Sequence, residues 1–229
     1  MTTEQKSIEV AGGFVRLDAA MADDLSVVNS ARVSFAKSSS ELSEADKGLI
    51  NFLMRERHGT PFEHNSFRFH IKCPIFVARE WFRHRIGSFN EFSARYSEVP
   101  NEFFSPEKED VRGQVGKPGS YSFEPLESSV ADAALEIIDN ANADAYDAYQ
   151  ALLEMGVAKE QARVVLPVSM FTQFYWTVNA RALMNFLSLR THETAQYDIR
   201  QYANAVHELA RDQMPITFAS WDKNDRVCP

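Results

Sequence analysis

The stretch SFRFHIKCPIFVAREWFRHR, residues 66–85, contains two hydrophobic periods joined without a linker. In its first half Phe67, Phe69 and Ile71 alternate with polar residues, and this period of two predicts a half-buried strand. In its second half, residues 76–85, the aromatic and small residues recur at helical spacing and predict a helix. A strand that runs directly into a helix is the first indication of a mixed fold.

The rest of the chain also mixes helices and strands without a regular βαβ alternation. Helices are predicted over 23–36, 43–59, 126–156, 158–166, 179–190 and 193–214, and further strands over 12–21 and 169–180. We therefore predict an α+β fold, with mixed helices around a central, mostly antiparallel sheet, in a single domain that spans residues 1–229.

Residues 97–125 differ from their surroundings because Pro, Gly and charged residues dominate them. Long loops of this composition in compact domains are often functional. We predict a long, mobile loop near residues 100–125.

The composition excludes several classes of protein. The chain has 229 residues, of which 45% are hydrophobic and 24% charged, and its net charge is −8. An acidic chain is a poor general binder of nucleic acid or membrane surfaces. No apolar run reaches membrane-spanning length, and the first residues lack the pattern of a signal peptide. We expect a cytoplasmic protein that binds neither nucleic acid nor a membrane.

Positive charge nevertheless accumulates in one place. The segment EWFRHRIGSFNEFSARYSE, residues 80–98, contains Arg83, His84, Arg85 and Arg95. A guanidinium can bind phosphate through two hydrogen bonds at once. The chain has no GxGxxG and no GxxxxGK[ST] motif, so a bound nucleotide would need arginines to hold its phosphates. The alternative is a solvated helix face whose arginines contact only water and glutamates.

The same segment has further features of a binding site. On a continuous helix, Arg79 and Arg83 would share one face and Glu80 and His84 another. The polar residues after Arg85 predict a loop that lets a ligand approach the backbone closely. The aromatic residues could form flat walls for a ring system, and they are Trp81, Phe82, Phe89 and Phe92.

The sequence RHRIGSFNEFSARY, residues 83–96, resembles the signature of the flavin-dependent thymidylate synthases. Four other segments resemble the family in the same order along the chain: ARVSF (31–35), HGTPFEH (58–64), ARVVLP (162–167) and WTVNARALMNFLSLR (176–190). The resemblance covers nearly the whole chain. It implies reductive methylation of dUMP to dTMP, with methylenetetrahydrofolate as carbon donor and NADPH as hydride source through FAD. It also implies a homotetramer whose active sites draw on several subunits.

The resemblance implies a role for named residues. For FAD they are Ser34, His58, Thr60, Arg83, His84, Arg85, Glu91, Asn179, Ala180, Arg181 and Asn185. For dUMP they are Glu80, Trp81, Phe82, Arg83, Glu91, Phe92, Ser93, Ala94, Arg95, Arg163 and Arg190. Asn179 could equally be a helix N-cap, and the HGTPFEH segment could be a simple turn.

Arg190 is the predicted catalytic residue. A guanidinium fixed beside N3 of uracil would favour the electron-rich form of the ring, whose C5 attacks the one-carbon donor. At position 80 the resemblance predicts Gln rather than Glu, and the extra negative charge would lie near a phosphate-bearing ligand unless Arg79 or Arg83 compensates it. Cys73 falls on the apolar face of a strand, where a thiol is inert, and Cys228 is penultimate, so no cysteine nucleophile is expected.

Two other functions fit parts of the sequence. A metal-dependent nucleotide hydrolase could use the histidines with Glu63 or Glu91, although the spacing of the histidines does not support a zinc site and no metal is predicted. A nucleotide-sensing or RNA-binding module could use the arginine-rich and aromatic segment, which the net charge disfavours.

Overall fold

A computed structural model describes residues 6–117 and 120–229. Two compact units divide the chain. The first comprises Met1–Cys73, Val77–Glu91 and Thr172–Pro229, and the second comprises Pro74–Phe76 and Phe92–Phe171. The single domain stays a prediction.

The first unit is built on a five-stranded sheet with the strand order β1-β2-β3-β7-β4. The strands are β1 (Ser7–Val10), β2 (Gly13–Met21), β3 (Ser66–Pro74), β7 (Phe171–Asn179) and β4 (Ser88–Glu91). The β1–β2, β2–β3 and β4–β7 pairs are antiparallel. The α+β class and the mostly antiparallel sheet are therefore confirmed.

The alternation in β3 and β7 explains how the sheet forms its core. Phe69, Ile71 and Cys73 of β3 are fully buried, and Trp176 of β7 lies beside them. The ring centroid of Trp176 is 5.9 Å from that of Phe69 and 5.4 Å from that of Trp81. Burying such large apolar surfaces is the main stabilising contribution to a fold of this kind.

Six helices accompany this sheet in the part of the chain that the structure describes: α1 (Asp24–Arg32), α2 (Glu44–Arg55), α3 (Ile75–Trp81), α6 (Ala180–Arg190), α7 (Tyr197–Arg211) and α8 (Pro215–Lys223). Ser43 and Asp46 form a reciprocal capping box at the start of α2. Helix α8 has no counterpart in the sequence-based prediction. Its first backbone N–H groups donate to the buried carboxylate of Asp24 at 2.9 and 2.8 Å, a contact between distant segments.

Two local predictions around the arginine-rich segment are wrong. Helix α3 ends at Trp81, and the next residues form a tight turn in which the N–H of His84 donates to the carbonyl of Trp81 at 3.0 Å. Arg79 and Arg83 therefore do not share a helix face, and neither do Glu80 and His84. The predicted polar loop is instead strand β4. It pairs with the edge of β7, and Phe89 stacks on Trp176 with a centroid distance of 6.1 Å.

The second unit consists of helices and one hairpin. Helices α4 (Ser128–Glu154) and α5 (Lys159–Ala162) are joined to a short 3-10 helix, Arg163–Val165. Strands β5 (Arg112–Lys117) and β6 (Ser120–Pro125) form an antiparallel pair. The prediction of a long irregular loop is therefore wrong for these strands, because their backbones pair with each other. Its mobility stays a prediction, and Pro118 and Gly119 lie outside the described residues.

The core of the second unit centres on Tyr149 of α4, which is fully buried. Its hydroxyl accepts a hydrogen bond from the N–H of Val99 at 3.1 Å, and Tyr146 donates to the carbonyl of Val99 at 3.3 Å. Ala94, Ala162 and other apolar side chains complete this cluster. The two tyrosines thus satisfy both backbone groups of a buried residue, as burial requires.

Candidate active site

The first unit contains a cavity of about 840 Å³, within the range of small-molecule and cofactor sites. Its walls come from the turn after α3, from one face of α6 and from the chain's last residues. The lining residues are Glu63, Phe82, Arg83, His84, Arg85, Ile86, Asn179, Arg181, Ala182, Asn185, Leu189, Arg190 and Cys228.

Helix α6 presents its polar face to the cavity. Asn179 caps the helix, since its side-chain oxygen accepts from the N–H of Ala182 at 2.8 Å. Arg181, Asn185 and Leu189 follow at four-residue intervals, so that they lie on one face. The opposite face is buried, through Leu183, Met184, Phe186 and Leu187. The amphipathic pattern of this helix therefore aims its polar side chains at the ligand space.

The turn after α3 contributes a second wall. Phe82 packs edge-on against Phe174, with a centroid distance of 4.9 Å, and fixes the start of the turn. Gly87 ends it in close contact with β7. A Cβ at Gly87 would lie 2.8 Å from Nε1 of Trp176 and 3.1 Å from the carbonyl oxygen of Thr177. Only glycine fits this close approach, so the turn that carries Arg83 and Arg85 is anchored at both ends.

Arg190, at the end of α6, is held by three hydrogen bonds from within the chain. Its Nε donates to Nε2 of His84 at 3.0 Å. One terminal nitrogen donates to Oε2 of Glu80 at 3.0 Å, and the other donates to the backbone carbonyl of Glu80 at 3.3 Å. The partner that compensates the charge of Glu80 is therefore Arg190, a residue that the sequence did not indicate for this purpose.

His84 is neutral at pH 7 in this arrangement. Burial lowers its pKa to about 4, and the nearby positive charge of Arg190 acts in the same direction. A guanidinium nitrogen can only donate, so Nε2 of His84 must accept and its ring proton is on Nδ1. The site thus contains an uncharged imidazole in one defined tautomer.

Arg181, near the start of α6, is held by partners of its own. Its NH1 donates to Glu63 at 2.6 Å and its Nε donates to the carbonyl of Pro229 at 2.9 Å. The pKa of the Arg181 guanidinium is raised, chiefly by its hydrogen bond to Glu63. Gly59 makes room for it, because a Cβ there would lie 2.3 Å from Nε of Arg181.

The remaining two arginines of the cavity have no such partner. Arg83 and Arg85 are exposed, and neither forms an ion pair within residues 6–117 and 120–229. Arg181 and Arg190 are each matched by a glutamate, so the uncompensated positive charge of the cavity belongs to Arg83 and Arg85. Exposed apolar side chains, Ile86 and Leu189, line the same space. Free cations beside apolar surface suit a ligand that has both phosphates and a ring system.

Comparison with known proteins identifies the family. The family model described as "Thymidylate synthase complementing protein" matches residues 16–216. A protein of Thermosipho melanesiensis named flavin-dependent thymidylate synthase is 50% identical over 211 residues, which cover 92% of this chain and 91% of the relative. The chain belongs to the flavin-dependent thymidylate synthase family. The resemblance of the RHR segment is therefore confirmed, and the family is one of methyltransferase enzymes.

Other members of the flavin-dependent thymidylate synthase family match at similar levels. A Thermus thermophilus enzyme of that name is 44% identical over 93% of this chain and 76% of its own length. Two crystal structures of the UMP/dUMP methylase PolB from Streptomyces cacaoi, with 5-Br UMP and with 5-Br dUMP, are each 41% identical. The first has a TM-score of 0.88, and the match covers 95% of this chain and 96% of the PolB chain. The second has a TM-score of 0.89, and the match covers 97% of this chain and 100% of the PolB chain.

The cavity brings together six of the eleven FAD residues that family resemblance implies: Arg83, His84, Arg85, Asn179, Arg181 and Asn185. The other five do not line it. Ser34, His58 and Thr60 are exposed, Ala180 is fully buried, and Glu91 accepts a hydrogen bond from the hydroxyl of Thr172 at 2.7 Å. The assignments of these five to the flavin stay predictions.

The residues implied for dUMP divide between the two units. In the first unit, Phe82, Arg83 and Arg190 line the cavity, and Glu80 holds Arg190. Trp81 is fully buried and stacks on Phe186 at a centroid distance of 4.8 Å. The prediction that the Trp81 side chain forms a ligand wall is therefore wrong, since core packing occupies the indole.

In the second unit, Glu160 links two of the implied arginines. Its carboxylate is 3.3 Å from Nε of Arg95, and its backbone carbonyl accepts from Nε of Arg163 at 3.4 Å. Both arginines are exposed, and the hydroxyl of Ser93 accepts from the N–H of Arg95 at 3.4 Å. Phe92 is exposed and Ala94 is buried in the core of that unit. Two arginines and a serine thus form a cluster that suits a phosphate.

Five cavity residues have no place in the sequence-based assignment: Glu63, Ile86, Ala182, Leu189 and Cys228. The four-residue spacing from Arg181 through Asn185 could have identified Leu189. No sequence signal connects Cys228 with Arg181, although its thiol donates to the Arg181 carbonyl at 3.3 Å. Glu63 entered only as a candidate of the hydrolase alternative, and its contact with Arg181 joins residues far apart in sequence.

The two cysteines are both free. Cys73 is fully buried in β3, and burial raises the pKa of its thiol well above the ordinary value. A thiol with a raised pKa is a poor nucleophile, as expected from the strand pattern. Burial also raises the pKa of Cys228.

Within residues 6–117 and 120–229, no three His, Cys, Asp or Glu side chains are grouped so that they could hold a metal ion. None of the described helices has the length and apolar character needed to cross a bilayer.

Proposed function

We propose that this chain is a flavin-dependent thymidylate synthase. It methylates dUMP to dTMP with methylenetetrahydrofolate as carbon donor, and it takes the hydride from NADPH through FAD. The observation that supports this most strongly is the cavity in which the unpaired Arg83 and Arg85 lie beside the glutamate-held Arg190. Family membership and the 5-Br UMP and 5-Br dUMP ligands named for the similar PolB structures point to the same reaction.

The cavity residues fit FAD as the flavin. Arg83 and Arg85 provide charge for a diphosphate, and the side chains of Asn179 and Asn185 can form hydrogen bonds with polar groups of the cofactor. Ile86 and Leu189 offer apolar surface to the rings. When bound, the flavin supplies the hydride chemistry that no amino-acid side chain can perform.

Arg190 is the catalytic residue of the proposal. Its guanidinium, fixed by Glu80 and His84, donates to the uracil ring where negative charge develops as C5 becomes nucleophilic. Preorganised donors of this kind often make the largest single contribution to catalysis. His84 stays neutral, so it orients Arg190 without adding a second positive charge.

Arg95, Arg163, Ser93 and Glu91 are proposed to bind the nucleotide, with the two arginines on its monophosphate. The cluster around Glu160 supports this role because it gathers the two cations at one place of the second unit. We further propose a cytoplasmic homotetramer whose sites draw on several subunits, so that the residues of one site need not belong to one chain.

The proposal is tested by Arg190→Ala. The purified wild-type protein should be yellow, should bleach with NADPH, and should form dTMP from dUMP and methylenetetrahydrofolate. Arg190→Ala should reduce dTMP formation by about 100-fold or more and retain the flavin. Arg211→Ala, which changes an exposed arginine of α7, is the matched control and should behave as wild type.

A wild-type protein that stays colourless when reconstituted with FAD and forms no dTMP would overturn the proposed reaction. Normal turnover by Arg190→Ala would overturn the catalytic role of Arg190 alone. Activity on nucleotides that a chelator abolishes would favour the hydrolase alternative instead.

A further inference from the structure

The charge of Glu80 is positioned to control Arg190. The carboxylate and the backbone carbonyl of Glu80 both accept hydrogen bonds from the guanidinium of Arg190, at 3.0 and 3.3 Å. Nε2 of His84 accepts a hydrogen bond from a third N–H of Arg190, at 3.0 Å. A guanidinium has five N–H donors, so two remain, and Arg190 lines the cavity. The side chains of Arg190 and Glu80 are only 22% and 29% exposed, so water screens their interaction weakly.

We propose that Glu80 is a positioning residue that fixes and neutralises Arg190, so that this arginine recognises the uncharged ring of the nucleotide and leaves the phosphate to other arginines. The inference rests on the proposed function, since the nucleotide is its ligand. It assigns Glu80 a role through Arg190 rather than a direct contact with substrate.

The physical basis is the difference between charge and hydrogen bonding. A carboxylate beside a guanidinium cancels most of its field at a distance, so the pair attracts a remote dianion weakly. The two unused N–H groups keep their direction and can still bind a ring carbonyl at contact distance. Arg83 and Arg85 have no ion pair within the described ranges 6–117 and 120–229, and therefore keep their full attraction for phosphate.

This division of roles separates two effects of Glu80→Gln. The amide oxygen can keep one hydrogen bond to Arg190, but the negative charge is lost. The full charge of Arg190 then attracts the phosphate, and we expect dUMP to bind about three- to ten-fold more tightly. Deoxyuridine, which has no phosphate, should not gain affinity. Because Arg190 is less firmly oriented, kcat for dTMP formation should fall roughly 10- to 100-fold.

The test is a double-mutant cycle of Glu80→Gln and Arg190→Ala, with kcat and the equilibrium binding of dUMP and deoxyuridine as readouts. In the Arg190→Ala background, Glu80→Gln should leave kcat unchanged, because the residue through which it acts on the reaction is gone. Its effect on the affinity for dUMP should persist there, because loss of the negative charge favours the phosphate in either background. Glu102→Gln, an exposed glutamate of the second unit, is the charge-matched control and should leave both unchanged. Thermal unfolding of each variant separates loss of function from loss of fold.

Several results would overturn the inference. Unchanged kcat in Glu80→Gln, additive effects on kcat in the cycle, or equal gains in affinity for dUMP and deoxyuridine would each contradict it. A wild-type protein that forms no dTMP would instead contradict the proposed function, and the two binding measurements would still test the role of Glu80. If Arg190→Ala does not fold, Arg190→Gln completes the cycle, because glutamine lacks both the charge and the guanidinium fork that contacts Glu80 and His84.

Discussion

Nε of Arg190 donates a hydrogen bond of 3.0 Å to Nε2 of His84, and this contact joins the end of α6 to the turn after α3. It requires the imidazole to be neutral, because a protonated ring would have no acceptor to offer. The RHR segment therefore does not act as three equal cations. Arg83 and Arg85 carry the charge, and His84 fixes the catalytic arginine.

The protonation of His84 can be measured directly. NMR of protein with ¹⁵N-labelled histidine should report a proton on Nδ1 at pH 7 and a pKa of about 4. Arg190→Ala removes the second cause of that low pKa, so the pKa should rise but stay below its ordinary value, because burial remains. Arg211→Ala should leave it unchanged. Titration of His84 near pH 6.5 in the wild type would contradict this assignment.

The unpaired arginines of the turn should control the affinity for the flavin. Arg83→Ala and Arg85→Ala each remove a charge-assisted contact with phosphate, so FAD should bind about 10- to 100-fold more weakly. Fluorescence titration of the apoprotein with FAD measures this effect. Arg55→Ala changes an exposed arginine on α2 and serves as the control. Unaltered FAD affinity in both variants would exclude the turn from the cofactor site.

Gly59 and Gly48 allow a matched comparison. Ala at position 59 would place Cβ 2.3 Å from Nε of Arg181 and force this side chain away from Glu63, so FAD affinity should fall several-fold. At Gly48, within α2, a Cβ meets no atom within 4 Å. Gly48→Ala should therefore raise the free energy of unfolding by roughly 0.5–1 kcal/mol and keep FAD affinity. FAD affinity that is equal in the two variants would show that Arg181 does not contribute to the site.

Cys73 should be dispensable for catalysis. Cys73→Ala leaves a small void in the core of the first unit and should cost roughly 1 kcal/mol of stability. Formation of dTMP should continue at close to the wild-type rate, because the buried thiol has a raised pKa and does not line the cavity. An inactive Cys73→Ala protein with an unchanged circular dichroism spectrum would restore a thiolate mechanism.

His207 should make stability fall on the acid side of neutrality. Burial lowers its pKa in the folded state, where it packs against Phe218 and Trp221. Below about pH 6.5, His207 binds a proton in the unfolded chain but stays unprotonated in the folded chain. The free energy of unfolding therefore decreases as the pH falls towards the folded-state pKa. Denaturant unfolding at pH 7 and pH 5 should reveal a smaller loss in His207→Leu. His64→Leu, at an exposed position, should lose as much as wild type.

Local sequence determines much of the sheet and of α6. The alternation in β3 follows from burial on one face, and Asn179 combines an N-cap signal with a position at the cavity. These features need only neighbouring residues, so sequence patterns indicate them. Strand β4 is different, because its four residues become a strand only by pairing with the edge of β7.

Contacts between distant segments were not predictable in the same way. Glu80 and Arg190 are 110 positions apart in sequence, and only the fold brings the carboxylate to the guanidinium. Sequence alone therefore offers only the neighbouring arginines, Arg79 and Arg83, as partners for Glu80. The same applies to α8, whose start depends on the carboxylate of Asp24.

A crystal structure of the protein with FAD and dUMP tests the central claim most directly. The account predicts that the flavin diphosphate contacts Arg83 and Arg85, and that the uracil ring lies against the guanidinium of Arg190 while Glu80 still holds it. Flavin and nucleotide bound elsewhere, with these side chains free in solvent, would contradict it.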